Sequence, residues 1–282
     1  MPIVIPDTEL RDPTLLRQHY ELERALADCL RSASKQERRD LYSVVYDEYF
    51  SKVGESTQST ASRQQMVDLE AQTLAPFLTK NSVFLEIGAG DCALALHVAD
   101  AVNHAYAIEA SEKVAPAATV LESFELILSD SIPLPFNDNS VDVAYSCHFL
   151  EHLHPEDAKE HAAEVRRILR PDGIYLCVTP NRLWGPHDIS RYFDEIPTGF
   201  HLREYTHAEL CQLMLEVGFA STKICRGVGK YSRFVSPWCC TNFEYLLDLL
   251  PPRIRRRVMS VVSGRRQPPL RKLEQVVVLG KK

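Results

Sequence analysis

The sequence predicts an α/β fold in which a parallel sheet is covered by helices on both faces. Three observations carry that expectation. From residue 80 onward, short apolar runs alternate with helix-patterned segments at the spacing of βαβ units. The first of these runs empties into a Gly-x-Gly turn that opens a helix. Residues 1–79, by contrast, show helical periodicity alone. The chain therefore divides into an N-terminal helical segment, 1–79, and a sheet domain, 80–282.

Taken in order, residues 1–13 carry three prolines and read as a loose arm. Thr14 to Ser51 is helical: Leu15, Leu22, Leu26 and Leu30 recur at helical spacing, and a second amphipathic run covers Lys35 to Tyr49. Gly54 to Ala61 is turn-like, and Ser62 to Leu78 is a third helix stopped near Pro76. Strands follow at Ser82–Ile87, His104–Ile108, Phe124–Leu128, Val141–Tyr145 and Ile174–Val178. Helices at Asp91–Val102, Ser111–Leu121 and Pro155–Leu169 lie between them. A turn, Arg170-Pro171-Asp172-Gly173, closes the last of these helices. A long polar loop, 180–205, precedes a helix over Thr206–Gly218, with Thr206 as its N-cap. Ser221–Cys225 and Leu273–Leu279 supply a sixth and a seventh strand. Between them lies an insertion, 226–272, with aromatic, helical and basic parts.

The bulk numbers narrow the classes. A hydrophobic share of 45% and a charged share of 25% are those of a soluble globular protein. No stretch has the length and apolarity of a bilayer span, and the N-terminus lacks a signal pattern. Eight cysteines are scattered without a CxxC pair, which reads as reduced thiols in the cytoplasm rather than a disulfide frame or a zinc site. A net charge of −6 argues against nucleic acid as a partner. Residues 251–272 nevertheless hold eight basic residues and no acid. That run is either a solvated helix face or a contact for an anionic surface, such as a phosphorylated acceptor or lipid headgroups at a membrane surface.

The chemistry starts at Val83-Phe84-Leu85-Glu86-Ile87-Gly88-Ala89-Gly90. Glycines at the end of a buried strand let a ligand approach the backbone closely. Glu86 stands two residues before the first glycine. Glu109 closes the second strand, where a carboxylate can accept both hydroxyls of a ribose. Asp130 follows the third strand in Leu128-Ser129-Asp130-Ser131-Ile132, placed to accept from an adenine amino group. A nicotinamide dehydrogenase would also supply the glycine turn and Glu109. It would not normally combine Glu86 with a strand-terminal Ser-Asp.

These motifs have a familiar order. Leu85-Glu86-Ile87-Gly88-Ala89-Gly90, Ile108-Glu109-Ala110, the stretch from Asp130 through Pro135-Phe136 to Ser140-Val141-Asp142, Ser146-x-His148-x-x-Glu151-His152-Leu153 and Leu169-Arg170-Pro171-Asp172-Gly173 succeed one another. Over roughly residues 80–225 the chain resembles the class I S-adenosylmethionine-dependent methyltransferases, in particular the methyltransferase 11-like group. The resemblance implies a Rossmann-like, seven-stranded, mostly parallel sheet. It implies S-adenosyl-L-methionine as cofactor and S-adenosyl-L-homocysteine as product. It also implies roles: Gly88, Ala89 and Gly90 beneath the methionine moiety, with Glu86 contacting it; Glu109 and Ala110 at the ribose; Asp130 with Ser131 or Ile132 at the adenine. Ser146, Cys147 and His148 should face the sulfonium. The implied acceptor is a small molecule or glycan, with a hydroxyl oxygen the leading target and nitrogen or carbon its rival. A catalytically silent binding subunit is the alternative of a different class.

A hydroxyl acceptor needs a general base, and histidine is the natural one at neutral pH. His148 and His152 stand i, i+4 at the sheet's C-terminal edge, His148 facing the cofactor while His152 and Glu151 brace the helix. The loop 180–205 adds His187, Asp188, Arg191 and Tyr192, which could bind or deprotonate an acceptor. His201 stands between loop anchor and acceptor ligand, and Arg203 with Glu204 reads as a structural pair. His187, Asp188 and His201 have ligand chemistry without a recognisable metal spacing, so no metal ligand is assigned and the need for a metal stays open. Tyr42 and Tyr46 share a helix face and are candidates for a lid over the cofactor and acceptor. The aromatic insertion reads as a further wall of the acceptor pocket or as a homodimer interface.

Overall fold

The computed structural model describes residues 12–53, 60–113, 121–130, 132–227, 229–251, 254–255, 258 and 275–282. Helix α1 (Pro13–Ser32) starts where Asp12 accepts the amide hydrogen of Thr14 at 2.8 Å, with a proline at its first position, where no donor is needed. Helices α2 (Lys35–Val53) and α3 (Thr60–Leu74) follow, the last running into a short 3-10 turn, Ala75–Phe77.

The sheet is built from β1 (Val83–Ile87), β2 (His104–Glu109), β3 (Phe124–Leu128), β4 (Val141–Cys147), β5 (Leu169–Pro180), β6 (Ser221–Arg226), β7 (Arg233–Val235) and β8 (Gln275–Lys281). Their order is β3-β2-β1-β4-β5-β8-β6-β7. The first five run parallel, and β8 lies antiparallel between β5 and β6. Chain order reverses at β1, whose neighbours are β2 on one side and β4 on the other, and at such a switch the strand ends open into a crevice.

Helices α4 (Ala93–Ala99), α5 (Pro155–Ile168), α6 (His207–Glu216) and α7 (Trp238–Asp248) complete the frame. Alternate residues of one strand feed opposite cores. On one face Leu85, Ile87, Ala144 and Tyr175 pack with residues of α1, α2, α5 and α6, among them Leu26, Leu30, Val165 and Leu210. On the other, Phe84, Val143, Tyr145 and Leu176 meet α3 and α4 through Val67, Leu74, Leu94 and Val98.

Three expectations are corrected here. The described residues hold eight strands, not seven, because Arg233–Val235 of the insertion folds back on β6 as an edge hairpin. Arg170–Gly173 is not a free turn: it is taken up inside β5, whose register jumps so that Val141 faces Leu169 while Val143 faces Ile174. The left-handed backbone of Asp172 (φ 66°) absorbs the extra residues. Arg203 does not pair with Glu204. Its guanidinium lies 3.6 Å from Glu209 and over the Tyr205 ring, leaving Glu204 to the loop. Thr206, by contrast, does cap α6 in a reciprocal capping box with Glu209. The helix expected over Ser111–Leu121 falls mainly on 114–120, outside the described residues, as does most of the basic run 251–272. Of that run, Arg255 pairs with Asp248 at 2.8 Å.

The N-terminal helices are fastened to the sheet domain by buried charge. Arg38 of α2 lies 2.6 Å from Asp157 of α5, their side chains 3% and 4% exposed. The Tyr42 hydroxyl donates to the same carboxylate at 2.8 Å and accepts the amide hydrogen of His154 at 2.9 Å. Further along, Tyr20 donates to Asp194 at 2.5 Å, and the Arg31 guanidinium holds the carbonyls of Thr198, Gly199 and His201.

Candidate functional site

The strand ends at the switch point open into a cleft of about 490 Å³. Gly88, Gly90, Glu109 and Ala110 line one side, His148, Phe149 and His152 the floor, and His187, Asp188, Arg191, Tyr192, Phe200 and His201 the other side. Tyr46 and Tyr49 of α2 roof it, with His19 and Glu23 of α1.

The glycine turn is built for close approach. Gly88 has φ +66°, and a side chain there would strike Phe149 at 2.6 Å. Gly90 has φ +53°, and a Cβ there would meet nothing within 4 Å, so the space above it is open to a ligand. The Glu109 carboxylate accepts three backbone amides, from Gly90, Ala110 and Ser111, at 2.8–3.0 Å. This ties the glycine turn to the end of β2. These residues fit the adenosyl sulfonium that the motifs imply: open room over a glycine, with a carboxylate at the crevice wall.

The structure does not bring every expected cofactor residue to the cleft. Glu86 points into the sheet's other face, where its carboxylate accepts the Ala95 amide of α4 at 2.8 Å. Burial there pushes its pKa up to about 8. Ala89 is buried, its amide bonded to Ile108 at 3.0 Å. Ser146 lies in the core against the Tyr175 hydroxyl at 2.7 Å, and Cys147 lines a separate cavity. Only His148 of that segment reaches the cleft, through a left-handed backbone at φ 53°. Asp130 is half-buried and accepts the Ile132 amide at 3.3 Å, away from the cleft lining. Ser131 lies outside the described residues. Tyr42 serves the Asp157 network instead of the cleft, whereas Tyr46 lines it.

The histidines form one connected system. His148 Nδ1 lies 3.0 Å from Glu151 Oε1, and His148 Nε2 lies 3.0 Å from the Gln275 amide nitrogen. A carboxylate accepts and an amide NH₂ donates, so the ring carries its proton on Nδ1 and presents a lone pair on Nε2. Glu151 is fully buried, with its second oxygen bonded to Thr179 at 3.0 Å. Burial alone would raise it, yet the His148 hydrogen bond and the neighbouring imidazoles bring it down to about 2. His152 donates to the Phe200 carbonyl (3.0 Å), and burial lowers its pKa to about 4. His201 is bonded to Glu204 at 2.8 Å. Burial opposes its charge, but Glu204, Glu151 and Asp188 outweigh that and carry it up to about 9. His187 bonds the Asn181 carbonyl at 3.0 Å, and its own amide donates to Glu204 at 2.7 Å. Asp188 accepts the His201 amide at 3.2 Å, while the Arg191 guanidinium lies over Tyr192.

Sequence reasoning missed His19 and Glu23, and gave Glu151 and His152 only a bracing role. A signal for Glu23 existed: it falls among Leu16, Tyr20, Leu26, Ala27 and Leu30 on the buried face of α1, where a carboxylate needs a reason to be. A second cavity, of about 360 Å³, lies across β4 on the sheet's other face. Its wall includes Met66, Leu69 and Glu70 of α3, Tyr145, Cys147, Leu176, Val178 and Phe243.

Residues 85–177 match the family model described as a methyltransferase domain, Methyltransf_11. A "probable S-adenosylmethionine-dependent methyltransferase" of Mycobacterium tuberculosis is 32% identical over 155 residues, 55% of this chain and 54% of that protein. The chain thus spans about half the length of the curated relatives it matches. Among solved structures, a SAM-dependent methyltransferase from Archaeoglobus fulgidus superposes with a TM-score of 0.51 at 18% identity, covering 84% of this chain and 99% of that one. The cyclase SpnF superposes with a TM-score of 0.50 at 16% identity, over 88% and 96%. These likenesses concern the fold, which carries more than one chemistry.

Proposed function

We propose that this chain, whose residues 85–177 form a class I S-adenosylmethionine-dependent methyltransferase domain, methylates a hydroxyl oxygen of a small polar acceptor, a free metabolite or a glycan. The observation behind this reading is the Glu151–His148 pair. A buried carboxylate orients an imidazole at the edge of the cleft that Gly88, Gly90 and Glu109 line, and its Nε2 accepts from Gln275 until an acceptor hydroxyl takes that place. When bound, the cofactor supplies a methyl group on a sulfonium, already electrophilic and in need only of an aligned nucleophile. Gly90 leaves it room, and Glu109 accepts from its ribose hydroxyls. His148 takes the acceptor's hydroxyl proton on Nε2 as the C–O bond forms, and the electron pair of the broken C–S bond stays on sulfur. Glu151 stabilises the resulting imidazolium, as a carboxylate behind a histidine does.

Tyr46 and Tyr49 pack on Phe200 and bring an apolar aromatic surface over the cleft. Asp188, Arg191 and the loop histidines supply a hydrogen-bonding wall suited to a polyhydroxyl acceptor. The six described cysteines are free thiols, which fits a reducing, cytoplasmic setting.

Calorimetry tests the first half. S-adenosylmethionine and S-adenosylhomocysteine should both bind the full chain, and nicotinamide dinucleotides should not. Screening with tritium-labelled methyl donor against polyols, glycans and amines tests the second half. Product binding without transfer to any hydroxyl acceptor would favour the silent subunit instead.

A further inference from the structure

The cleft contains a feature that methyl transfer from a sulfonium does not require. Glu151, His152 and His201 each bring one ligand-type atom to a common point, all within 4.8 Å of one another. The three come from two separate parts of the chain: the 3-10 turn after β4 and the end of the loop 180–205.

Both imidazoles are already oriented as metal-bound imidazoles are. His152 Nδ1 lies 3.0 Å from the Phe200 carbonyl, and His201 Nδ1 lies 2.8 Å from a Glu204 carboxylate oxygen. Each oxygen can only accept, so each Nδ1 donates and Nε2 is left as the coordinating atom. A carbonyl or carboxylate behind the distal ring nitrogen is the usual partner of a ligating histidine. Glu151 holds one hydrogen bond on each oxygen, from His148 and from Thr179, which fixes the carboxylate and leaves lone pairs on both.

The surrounding charge points the same way. Glu23, Glu151, Asp188 and Glu204 are all buried around the two rings, at 5%, 0%, 9% and 1% exposure. Glu204 Oε2 has no hydrogen-bond partner at all. Buried negative charge of this kind favours a cation placed among it, a metal ion included.

We infer that Glu151, His152 and His201 hold a divalent first-row transition-metal ion at the floor of the cleft, with its open positions facing the acceptor. The inference rests on the methyltransferase reading for its purpose and on the geometry for its existence. Two imidazole nitrogens and one carboxylate oxygen suit zinc, cobalt, manganese or ferrous ions better than magnesium or calcium, which take oxygen ligands. Vicinal hydroxyls of an acceptor would fill the open positions, which narrows the acceptor to a diol or catechol-like group. His148, bonded to the same Glu151, stands ready for the proton.

The test uses the untagged full chain and Co²⁺ alone. Cobalt should bind one-to-one with visible ligand-field bands, and Zn²⁺ should displace it. His152→Ala and His201→Ala should each weaken Co²⁺ roughly a hundredfold. His97→Ala, on α4 and remote from the cleft, should leave it unchanged. Absence of Co²⁺ binding, or undiminished binding in both cleft variants, overturns the inference. Should either variant fail to fold, Cu²⁺ in the wild-type chain decides: spin-echo modulation from two imidazoles supports the site, and its absence rules it out. S-adenosylhomocysteine affinity, measured on the same samples, separates the two readings. Cofactor binding without metal sinks only the metal site, and metal binding without cofactor sinks only the methyltransferase.

Discussion

Two cavities flank the end of β4, and adjacent residues serve them: Cys147 lines one and His148 the other. The cavity beside α3 is walled mainly by hydrocarbon, with half-buried Glu70 and the Glu244–His207 pair among its polar groups. The cleft beneath α1 and α2 gathers five histidines and three carboxylates. The same contrast holds for the buried carboxylates near each. Glu86, on the α3–α4 face, is pushed up to about 8 because burial outweighs the Ala95 hydrogen bond and the Arg63 charge. Glu151, on the cleft side, is equally buried but is brought down to about 2 by hydrogen bonding and imidazoles. Burial alone therefore does not mark the reactive side. What distinguishes the cleft is that several carboxylate–imidazole pairs converge there, Glu151 with His148 and Glu204 with His201 among them.

If that contrast is correct, the largest effect should come from His148→Ala. It should lower kcat by about 10²–10⁴-fold, the usual contribution of a general base, with cofactor affinity intact. A stopped assay with a hydroxyl acceptor reads it, and an unchanged kcat would move the base to another ring.

Next in size is Glu109→Ala, which removes the carboxylate that ties down the glycine turn and that we propose receives the ribose. Losing charge-assisted bonds of about 1.5–3 kcal/mol each predicts roughly a hundredfold weaker S-adenosylhomocysteine binding by calorimetry. Equal affinity would break the assignment of this cleft.

Glu86→Gln should act through pH. The folded-state pKa is raised from 4.5 to about 8, so the folded chain binds this proton more tightly than the unfolded one. Its contribution to stability is greatest below pH 4.5 and falls as pH rises toward 8. Melting temperatures of the glutamine variant should lack that decline, and parallel curves for both proteins would refute the shift.

The smallest change expected is from Met66→Trp, which narrows the apolar cavity. If an acceptor's hydrocarbon part reaches across His148 into that space, its KM should rise about tenfold, a 1.4 kcal/mol effect, with cofactor binding untouched. No change in KM would confine the acceptor to the polar cleft.

The sheet was legible because its signals are local. Val83–Ile87 and His104–Glu109 are apolar runs stopped by a glycine turn or a charge, and Thr206 with Glu209 spells a cap within four residues. The cleft was legible where position along a strand fixes direction, as at Gly88, Gly90 and Glu109, and where a long loop concentrates polar and aromatic residues, as at His187, Asp188, Arg191 and Tyr192. It failed where one residue's shift exchanges faces. Ser146 and Cys147 were expected beside His148, yet the two-residue period of β4 turns Ser146 toward Tyr175 and Cys147 toward α3. It failed also where partners lie far apart in sequence: nothing near His152 announces the Phe200 carbonyl, and nothing near Tyr42 announces Asp157.

The Arg31 grip on the carbonyls of Thr198, Gly199 and His201 has a bearing on heredity and engineering. Helix α1 and the loop it clasps are the two halves of one cassette, encoded nearly 170 positions apart, as the Arg31-to-Thr198 separation of 167 residues shows. A recombinant that takes the helix from one parent and the loop from another would set this guanidinium against a loop shaped for a different partner. Shuffling for new acceptors should therefore move both segments as a single unit.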